Sequence, residues 1–337
     1  MKAISLNLPQ SVHDSEWFTE AEVATPNTEP RDMLVRVKAI SINPVDYKVR
    51  ASSQSSQILG WDAAGTVEAV GNEVTLFKIG DEVYYAGSFI RAGNNSEYHA
   101  VDERIVGKKP ASLSYTEAAA LPLTTITAWE ALFERLGIEP QITVRNQSST
   151  ILIIGGAGGV GSIAIQLAKK VAWLRVIATA SRPESIAWCK EMGADHTINH
   201  HQPFKSELDA IGINNVDYIL CLNDTDRHLQ NMLDVIKPQG KICSIVSTEK
   251  PFDLNPFFSK SITFVWEMMF TKSMYETEDM QSQHDLLNRV AVLIDQGVLR
   301  TTISENLGIL NIANLVKAHR LLESGTAIGK VVLSGME

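Results

Sequence analysis

The chain has 337 residues, of which 45% are hydrophobic and 20% are charged, and this is typical of a folded globular protein of about two domains. Its net charge of −9 argues against nucleic acid or an anionic membrane as a partner, because both need a basic surface. The three cysteines, Cys189, Cys221 and Cys243, are widely spaced, which excludes a disulfide scaffold and favours a reducing compartment. The first residues, MKAISLNLPQ, lack the apolar core of a signal peptide, so we expect a cytoplasmic protein without a membrane anchor.

Short strands and turns dominate the first third of the sequence. Apolar and polar residues alternate in part, turn residues follow each run, and no long helical period is present. The predicted strands are Met33–Ile42, Gly65–Val70, Glu82–Tyr85 and Ser96–Val101. The pattern predicts a β-rich unit.

Strands and helices alternate from Thr150 onward, after two predicted helices at Thr116–Ala120 and Thr125–Leu136. The predicted strands are Ile151–Ile154, Val176–Thr179, His196–Ile198, Val216–Leu222 and Lys241–Val246, and helices are predicted near Val160–Val171, Pro183–Met192 and Asp226–Ile236. The strands are almost continuous apolar runs, as sheets covered on both faces require. The alternation predicts a doubly wound parallel sheet, so the fold class is α/β.

The last seventy residues return to mixed structure. Two amphipathic helices, Gln283–Asp295 and Ile312–Glu323, precede a final strand, Lys330–Leu333. A terminal strand has to pair with another strand, and the β-rich first unit offers one. We therefore expect the parallel-sheet domain, residues 123–267, to be inserted into a discontinuous domain of residues 1–122 and 268–337.

A glycine motif lies between the first strand and the first helix of the parallel-sheet domain. It is Gly156-x-Gly158-x-x-Gly161, in the sequence ILIIGGAGGVGS. Such glycines allow a tight turn and close approach of a pyrophosphate, which also meets the N–H groups and partial positive charge of the helix N-terminus. The strand–turn–helix context favours a dinucleotide site over a glycine turn without a ligand. We assign Gly156, Gly158, Gly159, Val160 and Gly161 to it.

The end of the second parallel strand distinguishes NAD from NADP. An NAD site places an acidic residue there, about 20 residues after the glycines, to bond the ribose 2′-hydroxyl. This chain has Ala180-Ser181-Arg182 instead. A hydroxyl and a guanidinium suit a 2′-phosphate, so we predict NADPH as the cofactor. The alternative is that Ser181 caps the next helix and Arg182 is solvated.

Several motifs together resemble those of the medium-chain dehydrogenase/reductase superfamily. They are AAALPLTTITAWEAL (118–132), ILIIGGAGGVGSIAIQLAK (151–169) and GKVVL (329–333). Within it, SINPVDYKVR (41–50), LGWDAAGTVEAVG (59–71) and GDEVYYAG (80–87) are similar to the quinone oxidoreductase branch and its zinc-type alcohol dehydrogenase-like subfamily. The resemblance implies a GroES-like catalytic domain, an inserted Rossmann domain and a homodimer.

Zinc is not expected in spite of the subfamily's name. The resemblance implies a cysteine in zinc-dependent members where this chain has Asn43, and a His-Glu pair where it has Trp61-Asp62. No cysteine precedes Cys189, and the histidines do not form a ligand set by spacing, whereas zinc needs three or four such ligands. Cys221 and Cys243 are predicted to be small core residues on buried strands.

Without a metal, conjugated acceptors are the easiest substrates for hydride transfer, because the developing charge is delocalised. The sequence therefore predicts a zinc-free, NADPH-dependent reductase of quinones or α,β-unsaturated carbonyls. The alternatives are a zinc-dependent alcohol dehydrogenase and a weakly catalytic NADPH-binding sensor or structural protein.

Four residues are candidates for the catalytic site. The amide of Asn43 could donate to a developing oxyanion, or Asn43 is a turn residue before Pro44. Lys48 stands where the resemblance often implies a tyrosine and is either a proton donor or a solvated lysine. Tyr47 is a second candidate donor. Thr127 matches a family threonine that lies against the nicotinamide, and its alternative is packing inside a helix.

The remaining candidates line the cofactor and the acceptor. The resemblance implies that His200 lies near the adenosine and that Lys330 approaches the cofactor or substrate. Leu222 and Ile245 are also assigned to the cofactor site. Trp61, Trp266 and Met269 have the aromatic and soft apolar character of an acceptor pocket, or they belong to the core or a dimer interface.

Overall fold

Residues 1–8, 13 and 16–336 are described by the structure, a computed structural model. Contacts between residues divide the chain into two units. The first comprises Met1–Ile126 and Phe270–Glu337, and the second comprises Thr127–Met269. Among the described residues, no helix is long and apolar enough to cross a membrane.

The elements follow one another in a β-rich, then an alternating, then a mixed segment. The strands are β1 Lys2–Leu6, β2 Phe18–Glu22, β3 Asp32–Ile42, β4 Ala63–Val70, β5 Glu82–Tyr85, β6 Tyr98–Asp102, β7 Val106–Lys108, β8 Thr150–Ile154, β9 Arg175–Thr179, β10 His196–Ile198, β11 Val216–Cys221, β12 Ile236–Ser244, β13 Thr263–Trp266, β14 Ile303–Ile309 and β15 Lys330–Ser334. The helices are α1 Pro44–Ser52, α2 Tyr115–Ala119, α3 Pro122–Trp129, α4 Val144–Ser148, α5 Gly159–Gln166, α6 Pro183–Met192, α7 Phe204–Ala210, α8 Thr225–Val235, α9 Asn255–Phe258, α10 Thr271–Tyr275, α11 Ser282–Asp295 and α12 Ile312–Glu323.

The sheet of the first unit is built around the long strand β3. Its order is β14-β15-β3-β4-β5-β7, and β6 also pairs with β3. The terminal strand β15 runs antiparallel to β3 and pairs Val331 with Ile42. The expectation that the last strand pairs with the first unit is therefore confirmed.

Helix α1 was not predicted, because Asn43 and Pro44 favoured a turn. Proline is compatible with the first helical position, where its missing N–H costs nothing. Asp46, three residues after the cap residue Asn43, accepts a hydrogen bond from the Asn43 N–H at 2.6 Å. This contact closes the first turn, so the sequence SINPVDYKVR contains a helix start rather than only a turn.

The second unit contains a six-stranded sheet in the order β10-β9-β8-β11-β12-β13. Every neighbouring pair in it is parallel, so the predicted doubly wound sheet is confirmed. Strand β8 is buried throughout, since helices cover both faces of such a sheet. The outer strand β13 was not predicted, because Trp266 at its end was assigned to an acceptor pocket.

Two predicted helices differ from the observed ones in the same way. The helix predicted at Thr125–Leu136 begins earlier, as α3 at Pro122, and continues as a π-helical segment, Glu130–Arg135. Helix α5 likewise continues as the π-helical segment Leu167–Val171. Changes of hydrogen-bond register of this kind depend on tertiary packing and have no clear sequence signal.

All three cysteines are free and buried. Cys221 ends β11 and Cys243 lies within β12, as predicted. Burial raises the pKa of the Cys221 thiol to about 11, so it remains protonated at neutral pH. These residues therefore pack as small hydrophobic side chains.

Candidate cofactor site and active site

The three motif glycines in the turn at the carboxyl end of β8 do not all occur for the same physical reason. A Cβ on Gly156 would lie 2.6 Å from Ala178 Cβ, and one on Gly161 would lie 2.4 Å from the carbonyl oxygen of Gly155. Both therefore permit close packing within the protein. A Cβ on Gly158 would meet only the Gly155 oxygen, at 3.5 Å, and its φ of −72° suits any residue. Nothing inside the unit requires glycine at 158, so the space over it is available to a ligand.

The turn presents backbone N–H groups at the start of α5. Gly158 is the cap residue of this helix and has no side chain to satisfy the first N–H groups, including those of Val160 and Gly161. Thr179, at the end of β9, fixes the turn by accepting a hydrogen bond from the Gly155 N–H at 2.9 Å. Sequence analysis missed Thr179, although its place one strand away from the glycines is typical of a support residue. The arrangement suits a pyrophosphate.

The turn after β9 contains the residues predicted to recognise a 2′-phosphate. Ser181 and Arg182 are both half-buried, and no acidic side chain ends the strand. The alternative that Ser181 caps α6 is wrong, because the cap residue is Arg182 and its N–H is bonded to Ser185 Oγ at 3.2 Å. The Arg182 guanidinium lies 3.4 Å from the Glu184 carboxylate, and the two side chains are 39% and 56% exposed. An ion pair this exposed to solvent is weak.

His200, Leu222 and Ile245 follow three other strands of the same sheet at their carboxyl ends. All three are half-buried. The Ile245 N–H donates to the Cys221 oxygen, and Leu222 Cβ lies 3.5 Å from the position of a Cβ on Gly155. Burial and the neighbouring His201 and Arg227 side chains lower the pKa of His200, so its ring is neutral at pH 7. Ligands of doubly wound sheets bind at this edge.

Lys330 lies in the first unit, where it contacts Asn43 and Asp62. Its ammonium is 2.9 Å from Asp62 Oδ2 and 3.1 Å from the carbonyl oxygen of Ile42, and it donates a third hydrogen bond to Asn43 Oδ1. The three side chains are at most 3% exposed. The predicted cofactor residue Lys330 and the predicted catalytic residue Asn43 are therefore partners in one buried network.

The amide of Asn43 is fully engaged within this network. Its Nδ2 donates to Asp62 Oδ2 at 2.8 Å and, at 3.4 Å, to the carbonyl oxygen of Ser41, while its Oδ1 accepts from Lys330. An amide has two N–H groups, and both point at protein acceptors. The expectation that Asn43 donates to a substrate oxyanion is therefore not supported, and Asn43 instead organises the start of α1.

Asp62 connects this network to the start of α3. Its second oxygen, Oδ1, accepts a hydrogen bond from the Leu123 N–H at 2.8 Å. Burial raises the pKa of Asp62, and the charge of Lys330 and the hydrogen bond from Asn43 oppose that rise. All three of its contacts come from donors, which suits a carboxylate. In the sequence, Asp62 was noted only as a departure from the His-Glu pair, because its partners are distant along the chain.

Asp46 adds a second carboxyl group to the same buried region. Burial raises its pKa to about 7, although the Asn43 N–H and the charge of Lys330 act in the opposite direction. Its neighbour Tyr47 is half-buried, and burial and the Glu323 carboxylate raise the tyrosine pKa, so the phenol is protonated at neutral pH. Lys48 is exposed. Of the predicted catalytic residues on α1, Tyr47 and Lys48 are thus accessible, whereas Asn43 is not.

The predicted pocket residues belong to separate ring clusters. In the first unit, Trp61 stacks on Phe89 at 5.4 Å and meets the edge of Phe270 at 6.3 Å. In the second unit, Trp266 packs against Phe264 at 4.9 Å, on the outer strand β13. Met269 and Thr127 are buried in the second unit. Phe89 was missed, because an isolated phenylalanine in a sequence does not indicate whether it stacks.

Glu267 is a buried acid in the second unit, just after β13. It lies 2.8 Å from the Arg135 guanidinium and shares a hydrogen bond with Glu130, which is also buried. Burial, followed by the Glu130 charge, raises the pKa of Glu267 to about 9. The folded state therefore retains a proton that the unfolded state releases near pH 4.5, and stability should fall as pH rises from 4.5 to 9.

We expect Glu267→Gln to flatten this pH dependence. The amide keeps an acceptor for Arg135 but has no proton to lose, so the variant should unfold at a higher temperature than the wild type at pH 9 and at a similar one at pH 5. Melting curves across that range measure the effect. Glu134→Gln is the control, since Glu134 also faces Arg135 but is partly exposed. Parallel curves for wild type and Glu267→Gln would contradict the expectation.

Metal ligands are scarce in both units. Within residues 1–8, 13 and 16–336, no group of three or more His, Cys, Asp or Glu side chains could hold a metal ion. His99, a histidine of the first unit, has both ring nitrogens engaged, with the Tyr85 hydroxyl at 3.1 Å and the Ala92 carbonyl at 2.9 Å. Asn43 and Trp61 supply an amide and an indole, neither of which is a zinc ligand.

Two protein families match the chain. The sequence profile described as "Alcohol dehydrogenase GroES-like domain" matches residues 29–124, and the profile "Zinc-binding dehydrogenase" matches residues 192–333. A zinc-type alcohol dehydrogenase-like protein of Staphylococcus aureus is 43% identical over 99% of this chain and 100% of its own length. A 2-methylene-furan-3-one reductase of Solanum lycopersicum is 30% identical over 93% of this chain and 74% of its own.

Solved structures agree with these relatives. A Rhizobium etli protein classed with the zinc-dependent alcohol dehydrogenases is 49% identical, with a TM-score of 0.94 over 100% of this chain and 98% of that one. The quinone oxidoreductase of Coxiella burnetii is 29% identical, with a TM-score of 0.80 over 99% and 98%. The predicted resemblance is thereby confirmed, and the chain belongs to the medium-chain dehydrogenase/reductase superfamily of oxidoreductases, with a GroES-like domain and a Rossmann-like sheet.

Proposed function

We propose that this protein is a zinc-free, NADPH-dependent reductase of quinones and α,β-unsaturated carbonyl compounds. The observation that supports it most directly is Gly158, whose missing side chain has no structural reason other than the space it opens over the turn. The turn is followed by a helix start with unsatisfied N–H groups, which would hold the pyrophosphate of a dinucleotide. Relatives of this chain include a furanone reductase and a quinone oxidoreductase.

The choice of NADPH rests on the turn after β9. Ser181 and Arg182 would hold the 2′-phosphate by a hydroxyl and a guanidinium, and the strand end lacks the carboxylate that would bind a ribose 2′-hydroxyl and repel a phosphate. His200 follows the neighbouring strand β10 and would lie beside the adenosine. Leu222 and Ile245 would cover the remaining cofactor surface with apolar contacts.

The residues that stand where zinc-dependent members of the family have their zinc ligands do not suit a zinc ion. Asn43 and Trp61 offer neither thiolate nor imidazole, and the carboxylate of Asp62 is already paired with Lys330 at 2.9 Å. Reduction by this protein therefore depends on its organic cofactor, which supplies a hydride to an electrophilic carbon when bound. Conjugated acceptors need least assistance, because their developing charge is delocalised.

Side chains of the protein would donate the proton to the reduced acceptor and would form the apolar surface against which the acceptor binds. Tyr47 keeps its phenolic proton at neutral pH and Lys48 is exposed on the same helix, so both are proposed proton donors to the developing oxyanion. Trp61, with Phe89 and Phe270, offers aromatic surface to a planar acceptor. We further propose a cytoplasmic homodimer that pairs through the outer strand β13, where Trp266 is 45% exposed.

Oxidation of NADPH and NADH at 340 nm, with quinones, enones and simple aldehydes as acceptors, tests this function. We expect turnover with quinones or enones, a preference for NADPH of at least about tenfold in kcat/KM, and no effect of chelators. Arg182→Ala should reduce that preference without changing turnover with NADH. Equal use of both coenzymes would contradict the cofactor proposal. Turnover restricted to simple alcohols and aldehydes with bound zinc would favour an alcohol dehydrogenase, and no turnover would favour a binding protein.

A further inference from the structure

The ammonium of Lys330 is the centre of a closed group of oxygen atoms. These belong to the carbonyl of Ile42, the side-chain amide of Asn43 and the carboxylate of Asp62. Lys330 is 3% exposed and Asp62 is 0% exposed. Three acceptors from two chain segments thus converge on one positive charge away from solvent, and an ammonium has three N–H groups with which to bind them.

These oxygens are of the kinds that bind hard cations in proteins, namely carboxylate, amide carbonyl and backbone carbonyl. Zinc prefers thiolate and imidazole, which none of the three provides. We infer that Lys330 is a tethered cation that fills a latent cation site, so that the protein carries its own positive charge where a free ion would otherwise bind. The inference concerns the site's occupant alone and does not depend on the proposed reductase activity.

The tethered cation links parts of the chain that are distant in sequence. Lys330 begins β15, whereas Ile42 and Asn43 form the connection between β3 and α1. Asp62 extends the link to the N–H of Leu123 at the start of α3. A charge of the same sign at the same point is therefore needed to hold these termini together, whether or not it is attached to the chain.

Chemical rescue of Lys330→Ala tests this inference. The variant should melt at a lower temperature than the wild type, and about 100 mM methylammonium should raise its melting temperature by about 2–4 °C. Tetramethylammonium at equal ionic strength should not, because it is too large and has no N–H group. Lys330→Met should also be destabilised but not rescued, since its side chain fills the space that the free amine would enter.

Lys272 provides a matched control. It is also 3% exposed, and the partners of its ammonium include Ser282 Oγ at 2.7 Å and the exposed Asp279 carboxylate at 3.4 Å. Lys272→Ala should lose stability without a specific response to methylammonium. If Lys330→Ala does not fold, its refolding yield with and without methylammonium replaces the melting curve.

Two results would overturn the inference. They are equal effects of methylammonium and tetramethylammonium on Lys330→Ala, and equal rescue of Lys272→Ala. None of these measurements uses a nicotinamide cofactor or an acceptor. A failure here would therefore leave the reductase proposal standing, and inactivity in the reductase assay would leave this inference standing.

Discussion

Gly158→Ala should abolish most of the affinity for NADPH while leaving the protein folded. The new methyl group meets only the Gly155 oxygen, at 3.5 Å, and the backbone at φ −72° accepts alanine. The melting temperature should therefore change little, because the loss of a glycine helix cap and the gain from a stiffer unfolded chain are each about 1 kcal/mol or less. Over the turn, however, the methyl group keeps the pyrophosphate away from the N–H groups.

The expected loss of affinity is about 10- to 100-fold, which corresponds to the free energy contributed by one charge-assisted hydrogen bond. Fluorescence titration with NADPH measures it. Gly161→Ala is the contrasting variant, since its Cβ would lie 2.4 Å from the Gly155 oxygen and 2.5 Å from the Gly156 oxygen. That variant should lose stability as well as binding. If Gly158→Ala binds NADPH as tightly as the wild type, the space over Gly158 is not the pyrophosphate site.

Asp62→Asn should destabilise the protein by about 3–5 kcal/mol. Removing the carboxylate leaves the Lys330 ammonium buried without its direct counter-charge, and breaking a buried pair in this way costs more than removing the pair. The amide also has to orient one oxygen toward donors on both sides, Lys330 and Leu123. Denaturant unfolding of the wild type and the variant gives the difference.

The double variant Asp62→Asn with Lys330→Met distinguishes the cost of an unpaired buried charge from the cost of changing the two side chains. It contains no unpaired charge at this pair, so it should be more stable than Asp62→Asn alone, and the two single losses should not add. Losses that add within about 0.5 kcal/mol would mean that Asp62 and Lys330 are not energetically coupled. The expected cost of leaving Lys330 without its counter-charge would then be wrong.

The parts of the structure that could be predicted from the sequence are those whose signal lies within one short, continuous stretch of residues. The glycine turn, with the strand before it and the helix after it, lies within residues 150–166, so its pattern indicates its conformation. The buried strands and α6 were predicted for the same reason, because apolar periodicity and helix starts are local signals. The absence of zinc ligands at 43 and 61 is likewise visible in the sequence alone.

The network around Lys330 was decided only by the tertiary structure. Lys330 and Asn43 are 287 residues apart, and the antiparallel pairing of β15 with β3 brings them together. From the sequence, Asn43 was a candidate oxyanion donor and Lys330 a cofactor ligand, since a side chain's function depends on what surrounds it. Burial commits every polar atom of Asn43 to the protein and makes Asp62 the direct counter-charge of Lys330. Sequence patterns indicate which groups are available for chemistry, whereas the fold determines which of them are already satisfied by one another.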